Sequence, residues 1–147
     1  MTQKAVRAII IKDHKTLVMY RNKEGSEYYT LVGGGVDENE TFEEALIREV
    51  KEETGLSVTN LRLVFIENHQ HASREQYIYL CDVSGSEQVA LQNDSEEALL
   101  NRFGLNLHKP LWVDITAFSS LPFRTPALQQ ALDTAFKKGF PDKTVVL

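Results

Sequence analysis

The chain has 147 residues, the size of one domain, and its hydrophobic fraction of 42% and charged fraction of 25% are ordinary for a globular protein. Its single cysteine, Cys81, excludes an internal disulfide, and no stretch approaches the roughly 20 apolar residues that a membrane-spanning helix needs. The net charge of −5 and the lack of a basic cluster argue against a nucleic-acid polymer as the partner. From the length, the single cysteine and the lack of a long apolar stretch, we expect one soluble domain over residues 1–147, in the cytoplasm and without a membrane partner.

The first part of the chain has the composition of short strands. Residues 4–12 and 16–21 are rich in β-branched and apolar side chains and are separated by a short polar turn, which is typical of a hairpin. Residues 28–32 indicate a third short strand that runs directly into three consecutive glycines. We therefore predict three strands before the first helix.

The first helix has clear signals at both ends. Thr41 followed by Glu44 makes a capping box, in which the hydroxyl accepts from a backbone N–H and the carboxylate reaches back to the start of the helix. Gly55 supplies the C-terminal stop signal. The pattern predicts a helix over about residues 41–54.

The middle of the chain combines further strands with a polar segment. Residues 61–67 and 76–83 have the composition of two more strands. The segment 84–108 is polar and has weak periodicity, so we predict a long loop there, with a short helix near 95–103. Residues 111–115 indicate a last strand.

The final helix is predicted from the residues at its start and from the apolar residues along one of its faces. Thr125 is expected to cap it, and Pro126 occupies the first helical position. Its apolar stripe consists of Leu128, Ala131, Leu132, Ala135 and Phe136. Several strands together with two well-defined helices predict a mixed α/β domain that is built in layers.

The helix over 41–54 carries carboxylates on the face that should be buried. A helical period of 3.6 residues places Glu49 and Glu53 among the apolar residues of that face and Glu52 at its edge. Three converging carboxylates would repel one another if they were desolvated, so either protons or a cation must compensate them. Hard oxygen ligands suit Mg²⁺ or Mn²⁺. The competing interpretation is a solvated acidic helix end.

The segment upstream of this helix favours the metal site. Three glycines, residues 33–35, permit a close approach of the backbone to a metal or phosphate, and Asn39 tolerates the positive φ that a turn requires. Glu40 and Arg48 have the chemistry of a bidentate ion pair, which would hold the loop against the helix. Glycines, a loop acid, an arginine and clustered glutamates at fixed offsets are together a strong signal.

These positions resemble the Nudix box. The matching residues are Gly34, Glu40, Arg48, Glu49, Val50, Glu52, Glu53, Gly55 and Leu56. The resemblance implies a Nudix-type α/β/α sandwich around a mixed β-sheet, with the box as a loop–helix–loop. It also implies an Mg²⁺-dependent hydrolase of a nucleoside diphosphate linked to another group, with Mn²⁺ as a possible replacement.

The resemblance also implies roles for individual residues. The expected metal ligands are Gly34 through its carbonyl, Glu49, Glu52 and Glu53. The expected catalytic residues are Glu40, Arg48, Glu52 and Glu53, of which Glu40 and Arg48 form the structural pair and Glu52 or Glu53 activates water. The general base varies within the family and can lie outside the box, where Glu96 and Glu97 are candidates; a solvated loop acid is the default interpretation of both.

The residues that bind the substrate are not fixed by the box. Stacking on a base is open to several aromatic residues, although most of them are expected in the core: Tyr28, Tyr29, Phe65, Tyr77, Tyr79 and Trp112. Arg21, Arg74 and Arg124 are candidates for holding phosphate. His69 and His71 lie two residues apart but lack a third ligand nearby, so a polar strand end is the favoured interpretation.

Two classes of function therefore compete. The first is an enzyme acting on a small nucleotide-type molecule, with ADP-ribose-like compounds and (oxidised) nucleoside triphosphates as the leading substrates. The second is a sensor with the same fold that binds a nucleotide without turnover. The three carboxylates favour the enzyme and disfavour a purely acidic interaction surface, which would leave the glycines and Arg48 unexplained. Many family members dimerise, but the sequence shows no clear self-complementary patch.

Overall fold

A computed structural model describes residues 3–68, 74–84, 89–90 and 106–147. Its strands are β1 (Gln3–Lys12), β2 (Lys15–Lys23), β3 (Ser26–Thr30), β4 (Val32–Gly35), β5 (Ser57–Asn68), β6 (Arg74–Ser84), β7 (Asn106–Asp114) and β8 (Val145–Val146). The helices are α1 (Phe42–Thr54) and α2 (Pro126–Lys138), with a short 3-10 turn at Phe118–Ser120. Within these residues, no helix is long and apolar enough to cross a membrane.

The strands form a mixed sheet. The hydrogen-bonded order is β3-β2-β1-β6-β5-β8, while β4 pairs with β1 and β7 pairs with β2. The pairs β1–β6 and β5–β8 are parallel, and the other pairs are antiparallel. β1 therefore pairs with three strands, β2, β4 and β6, and lies at the centre of the sheet.

The two helices cover opposite faces of the sheet. On β1, Val6 and Ala8 belong to the core cluster that contains the buried face of α1, whereas Ile9 belongs to the cluster that contains Leu128 and Leu132 of α2. Alternate side chains of a strand point to opposite faces. The result is an α/β/α sandwich with a mixed sheet, which confirms the fold class predicted from the sequence.

The predicted hairpin and the first helix are confirmed. β1 and β2 pair antiparallel around the turn, with Lys12 opposite Lys15. The Thr41 hydroxyl accepts from the Glu44 N–H at 3.1 Å, and the Glu44 carboxylate accepts from the Thr41 N–H at 3.0 Å. Gly55 ends the helix in the left-handed conformation, with φ 80°.

Three local predictions differ from the structure. The predicted strand 28–32 is divided at Leu31, because β3 pairs with β2 whereas β4 pairs with β1. The last strand begins at Asn106 rather than at residue 111, since it pairs with β2 along its whole length. Thr125 precedes α2, but its side chain makes no capping hydrogen bond, and its backbone (φ −120°, ψ 99°) differs from that of the capping residue Thr41 (φ −74°, ψ 163°).

The predicted long loop is only partly described. Residues 106–108 belong to β7 and not to a loop. Most of the remaining segment, including the predicted short helix at 95–103, lies outside the described residues.

Candidate metal and phosphate site

The acidic face of α1 is buried as the helical period predicted. Glu49 is 8% exposed and Glu53 is 3% exposed, and both lie on the same face as Leu46 and Val50. The Glu52 side chain is 37% exposed and lies at the edge of this face. Burying two carboxylates side by side is unfavourable unless protons, hydrogen bonds or a cation compensate their charge.

The glycine strand β4 lies directly against these carboxylates. A Cβ atom on Gly34 would stand 2.6 Å from a carboxylate oxygen of Glu49, so a larger residue at this position would displace the Glu49 carboxylate. The N–H of Gly33 donates to Glu53 Oε2 at 3.4 Å. The structure therefore brings Gly34, Glu49 and Glu53 together at one point between β4 and α1.

Arg48 connects the loop, the strand and the helix. Its Nε and Nη2 donate to the two carboxylate oxygens of Glu40 at 2.8 and 2.9 Å, and its Nη2 also donates to the Gly35 carbonyl at 3.2 Å. Its Nη1 donates to Glu49 at 3.0 Å and to Glu52 at 3.4 Å. These contacts raise the pKa of Arg48, chiefly through Glu40, and the hydrogen bond from Arg48 lowers the pKa of Glu40.

The predicted contact between Glu40 and Arg48 is thus present. The intervening loop contains Asn39 at φ 65°, the positive value that the sequence anticipated for this turn. A bidentate arginine–carboxylate pair fixes direction as well as distance. It holds the loop after β4 in a defined position relative to α1, although the roles of both residues in the reaction stay predictions.

The fit of this site to a divalent ion follows from its donors. Among the described residues, no three acidic, histidine or cysteine side chains are already arranged to hold a metal ion, and Glu52 contacts Arg48 rather than its acidic neighbours. Glu49 and Glu53, however, are buried carboxylates beside the Gly34 backbone. Carboxylate and carbonyl oxygens are the ligands that Mg²⁺ and Mn²⁺ prefer, so the donor set fits such an ion.

The glutamates open into a pocket of about 160 Å³, which we call the glutamate pocket. Besides Glu49 and Glu53, it is lined by Arg7, Met19, Arg21, Thr30, Gly33, Gly34, Gly35, Arg74 and His108. Carboxylates and guanidinium groups therefore share one space. Such an arrangement suits a ligand that carries anionic groups and reaches the carboxylates through a cation.

Arg7 and His108 were not singled out from the sequence. Arg7 donates to Gln76 Oε1 at 3.0 Å and to the carbonyls of Leu31 and Gly33 at 3.2 and 3.1 Å. Burial is the main cause of its lowered pKa. Burial likewise lowers the pKa of His108 to about 4, with a smaller contribution from Arg21. The signal for Arg7 was a charged residue within an apolar strand, whereas His108 lay in a segment predicted as loop.

The predicted substrate residues separate into two groups. Arg21 and Arg74 line the glutamate pocket, and Arg124 lines a neighbouring one. Most of the aromatic residues pack into the core as expected, namely Tyr29, Phe65, Tyr77, Tyr79 and Trp112. Tyr28 differs, since both Arg21 and Arg124 lie against its ring. The remaining candidates lie outside the described residues: His69, His71, Glu96 and Glu97.

Comparison with known proteins identifies the family. A NUDIX domain model matches residues 1–129. The chain is 38% identical over 99 residues to the ADP-ribose pyrophosphatase of Methanocaldococcus jannaschii, a match that covers 64% of this chain and 58% of that protein. It is 31% identical over 114 residues to the NAD-capped RNA hydrolase NudC of Vibrio atlanticus, covering 78% of this chain and 37% of that protein.

A solved structure supports the same fold. The NUDIX hydrolase from Nitrosomonas europaea superposes with a TM-score of 0.70 at 21% sequence identity, covering 97% of this chain and 94% of that chain. Because the NUDIX model spans most of the sequence, the chain belongs to the NUDIX domain family, as the box predicted. The chain spans 58% or less of the length of the two curated relatives, so their activities are properties of those proteins.

Glu40→Gln tests the structural pair. We expect the variant to loosen the loop after β4 and to lower activity less severely than Glu53→Gln, because one oxygen acceptor and the charge are lost while the buried carboxylates remain. Steady-state kinetics of both variants makes the comparison. A loss as large as that of Glu53→Gln would mean that Glu40 is itself catalytic.

The lowered pKa of Glu40 gives the same variant a pH signature. A carboxyl group whose pKa is depressed by folding stabilises the folded state above its unfolded pKa, and that contribution disappears as the pH falls through the folded pKa. The wild type should therefore be more stable than Glu40→Gln near neutral pH, and the difference should shrink on acidification. Thermal melts at a series of pH values measure it; a constant difference would contradict the ionic role.

Proposed function

We propose that this protein is a hydrolase that uses Mg²⁺, with Mn²⁺ as a possible replacement, to cleave a diphosphate bond in a small nucleotide-type molecule. The observation that carries the proposal is the burial of Glu49 and Glu53 beside the Gly34 backbone. Membership of the NUDIX family supports it. The ADP-ribose pyrophosphatase among its relatives supports ADP-ribose-like compounds as substrates, and nucleoside triphosphates are the second class.

The charge balance of the site supports a metal-dependent reaction. A diphosphate repels a nucleophile through its own negative charge, and two buried carboxylates would repel the diphosphate as well. When bound, a divalent ion would neutralise the charges of both the diphosphate and the carboxylates and would lower the pKa of the attacking water. Glu49, Glu52, Glu53 and the Gly34 carbonyl are the groups that would hold it.

The protein's own residues perform the remaining tasks. Arg48, held by Glu40, keeps the loop, β4 and α1 in fixed positions relative to one another. Glu52 or Glu53 accepts a proton from water as the water oxygen forms a bond to phosphorus. The bridging P–O bond then breaks and its electron pair stays on the leaving phosphate. Guanidinium groups in the glutamate pocket orient the anionic substrate.

A screen that detects the cleavage products by anion-exchange chromatography tests this function, because hydrolysis of the diphosphate bond gives a nucleoside monophosphate with pyrophosphate or a second phosphate ester. The panel contains nucleoside diphosphate derivatives and nucleoside triphosphates, each assayed with Mg²⁺, with Mn²⁺ and with EDTA. We expect turnover of one compound class with either metal and none with EDTA. Turnover that is unaffected by EDTA would contradict the metal assignment.

Metal titration by calorimetry separates the enzyme from the sensor. Metal binding without turnover of any compound in the panel would contradict the hydrolase and favour a protein that binds a nucleotide without cleaving it. Turnover that is lost in EDTA and restored by added Mg²⁺ would exclude that alternative.

A further inference from the structure

Arg7 is a charged residue at the centre of the sheet. It lies on β1 between Val6 and Ala8, which are both fully buried, and its backbone is paired with Gly33 of β4 on one side and with Ile78 of β6 on the other. A guanidinium group at such a position is costly to bury unless its hydrogen bonds and its charge are compensated. The groups that compensate it indicate what this cation does.

The guanidinium group of Arg7 holds the segment that leads into the glycine strand β4. Its Nη1 donates to the Leu31 carbonyl at 3.2 Å and to the Gly33 carbonyl at 3.1 Å, and its Nε donates to Gln76 Oε1 at 3.0 Å. Leu31 is the residue at which the chain leaves β3, which pairs with β2, and enters β4, which pairs with β1. One side chain thus holds both carbonyls that flank Val32, and Gln76 fixes the direction of the guanidinium plane.

The same segment carries the groups that contact the buried glutamates. Gly33, whose carbonyl accepts from Arg7, donates its N–H to Glu53 Oε2 at 3.4 Å, and the next residue, Gly34, lies against the Glu49 carboxylate. A glycine segment has no side chains to pack, and its backbone is conformationally permissive. Hydrogen bonds to its carbonyls therefore help to set the geometry in which the two glutamates meet it.

The charge of Arg7 has a separate effect on the glutamates. Burial is the main cause of its lowered pKa, whereas Glu53 and, to a smaller extent, Glu49 act in the opposite direction. Interactions between charges are mutual, so the cation stabilises the two buried carboxylates when no metal ion is bound. The same charge repels a divalent ion, so it cannot explain how Arg7 would favour metal binding. The placement of the glycine strand remains, and it depends on the shape of the guanidinium group.

We propose that Arg7 is a positioning residue of the metal site: its hydrogen bonds to the two carbonyls that flank Val32 hold the glycine strand where the two buried glutamates can share a divalent ion. This inference rests on the proposed function, which assigns the metal ion to these glutamates. A guanidinium group donates in one plane to Gln76 and to both carbonyls, whereas a lysine carries the same charge on a single nitrogen. The role therefore requires an arginine and not merely a cation.

The test uses Arg7→Lys, which keeps the positive charge and loses the planar array of donors. Mn²⁺ is titrated into the metal-free protein without substrate and followed by calorimetry, and kcat and KM are measured with the compound that the wild type cleaves. Replacing a group that orients metal ligands typically costs about 10–100-fold in metal affinity or activity, so we expect Mn²⁺ affinity and kcat to fall about tenfold or more. The KM should stay close to the wild-type value, because Arg7 acts through the glycine strand.

Two further variants control this experiment. Arg62→Lys is the matched control, since Arg62 of β5 also donates to a backbone carbonyl, that of Pro141 at 2.7 Å, and is absent from the described lining of the glutamate pocket. It should match the wild type in every quantity. Gln76 is likewise absent from that lining but accepts from Arg7 Nε. Gln76→Leu should therefore weaken Mn²⁺ binding in the same direction as Arg7→Lys and by a smaller factor, because the hydrogen bonds to the carbonyls remain.

The outcomes distinguish failure of this inference from failure of the proposed function. Equal Mn²⁺ affinity in Arg7→Lys and the wild type would overturn the inference even if the enzyme is active, and a lower melting temperature alone would mean that Arg7 only stabilises the fold. A rise in KM without a change in kcat would also overturn it, because Arg7 would then contact the substrate. If Arg7→Lys does not fold, unchanged Mn²⁺ binding by Gln76→Leu overturns the inference and weaker binding supports it. If the wild type binds Mn²⁺ but cleaves no compound, the proposed function fails and the titrations still decide the role of Arg7; a wild type that binds no Mn²⁺ would overturn both.

Discussion

Glu53→Gln is expected to abolish turnover while the fold stays intact. Glu53 is almost fully buried, and its carboxylate faces the Gly33 N–H beside Glu49. The amide keeps the shape of the side chain but removes the negative charge that would hold a cation or accept a proton. General base catalysis by a positioned group contributes roughly 10²–10⁴-fold, so we expect a loss of at least this size.

The experiment compares Glu53→Gln with Glu43→Gln, which removes an exposed carboxylate from the same helix. Both variants are assayed for turnover and for metal affinity, and circular dichroism melts verify that they fold. The control should retain wild-type activity. Unchanged activity in Glu53→Gln would refute the assignment of the metal site to this face of α1.

Gly33→Ala is expected to destabilise the protein by about 3 kcal/mol or more. Gly33 has φ 141°, which an L side chain rarely adopts, and an added Cβ would stand 2.0 Å from the Val6 carbonyl oxygen of the neighbouring strand. That oxygen belongs to the backbone at the centre of the sheet and cannot move aside locally. A loss of this size is a large fraction of the roughly 5–15 kcal/mol by which a domain is stable.

Gly25→Ala separates the two causes of that loss. Gly25 also has a positive φ, of 89°, but an added Cβ there would meet no atom within 4 Å. It should therefore show only the backbone cost, about 1 kcal/mol. Urea denaturation of both variants measures the free energies of unfolding. Equal losses would mean that the close approach of β4 to β1 does not restrict Gly33.

Much of the site could be predicted from the sequence because it is formed by residues that lie close to one another along the chain. The helical period placed Glu49 and Glu53 on the buried face of α1, and the capping box and Gly55 gave its ends. The contact between Glu40 and Arg48 followed from complementary charges in a short loop and helix. Several predicted strands, together with two helices that have clear start and end signals, were sufficient to predict the α/β class.

The surroundings of the glutamates were decided by tertiary structure. Arg7, Arg21 and His108 lie on three strands that meet only when the sheet forms, and no spacing along the chain indicates that they share a pocket. The break at Leu31 is also tertiary, because it depends on β3 and β4 pairing with different strands. Local propensity and periodicity determine which segment becomes a helix or a strand, whereas the partners of each strand, and hence the groups that face the glutamates, are set by the packing of the whole sheet.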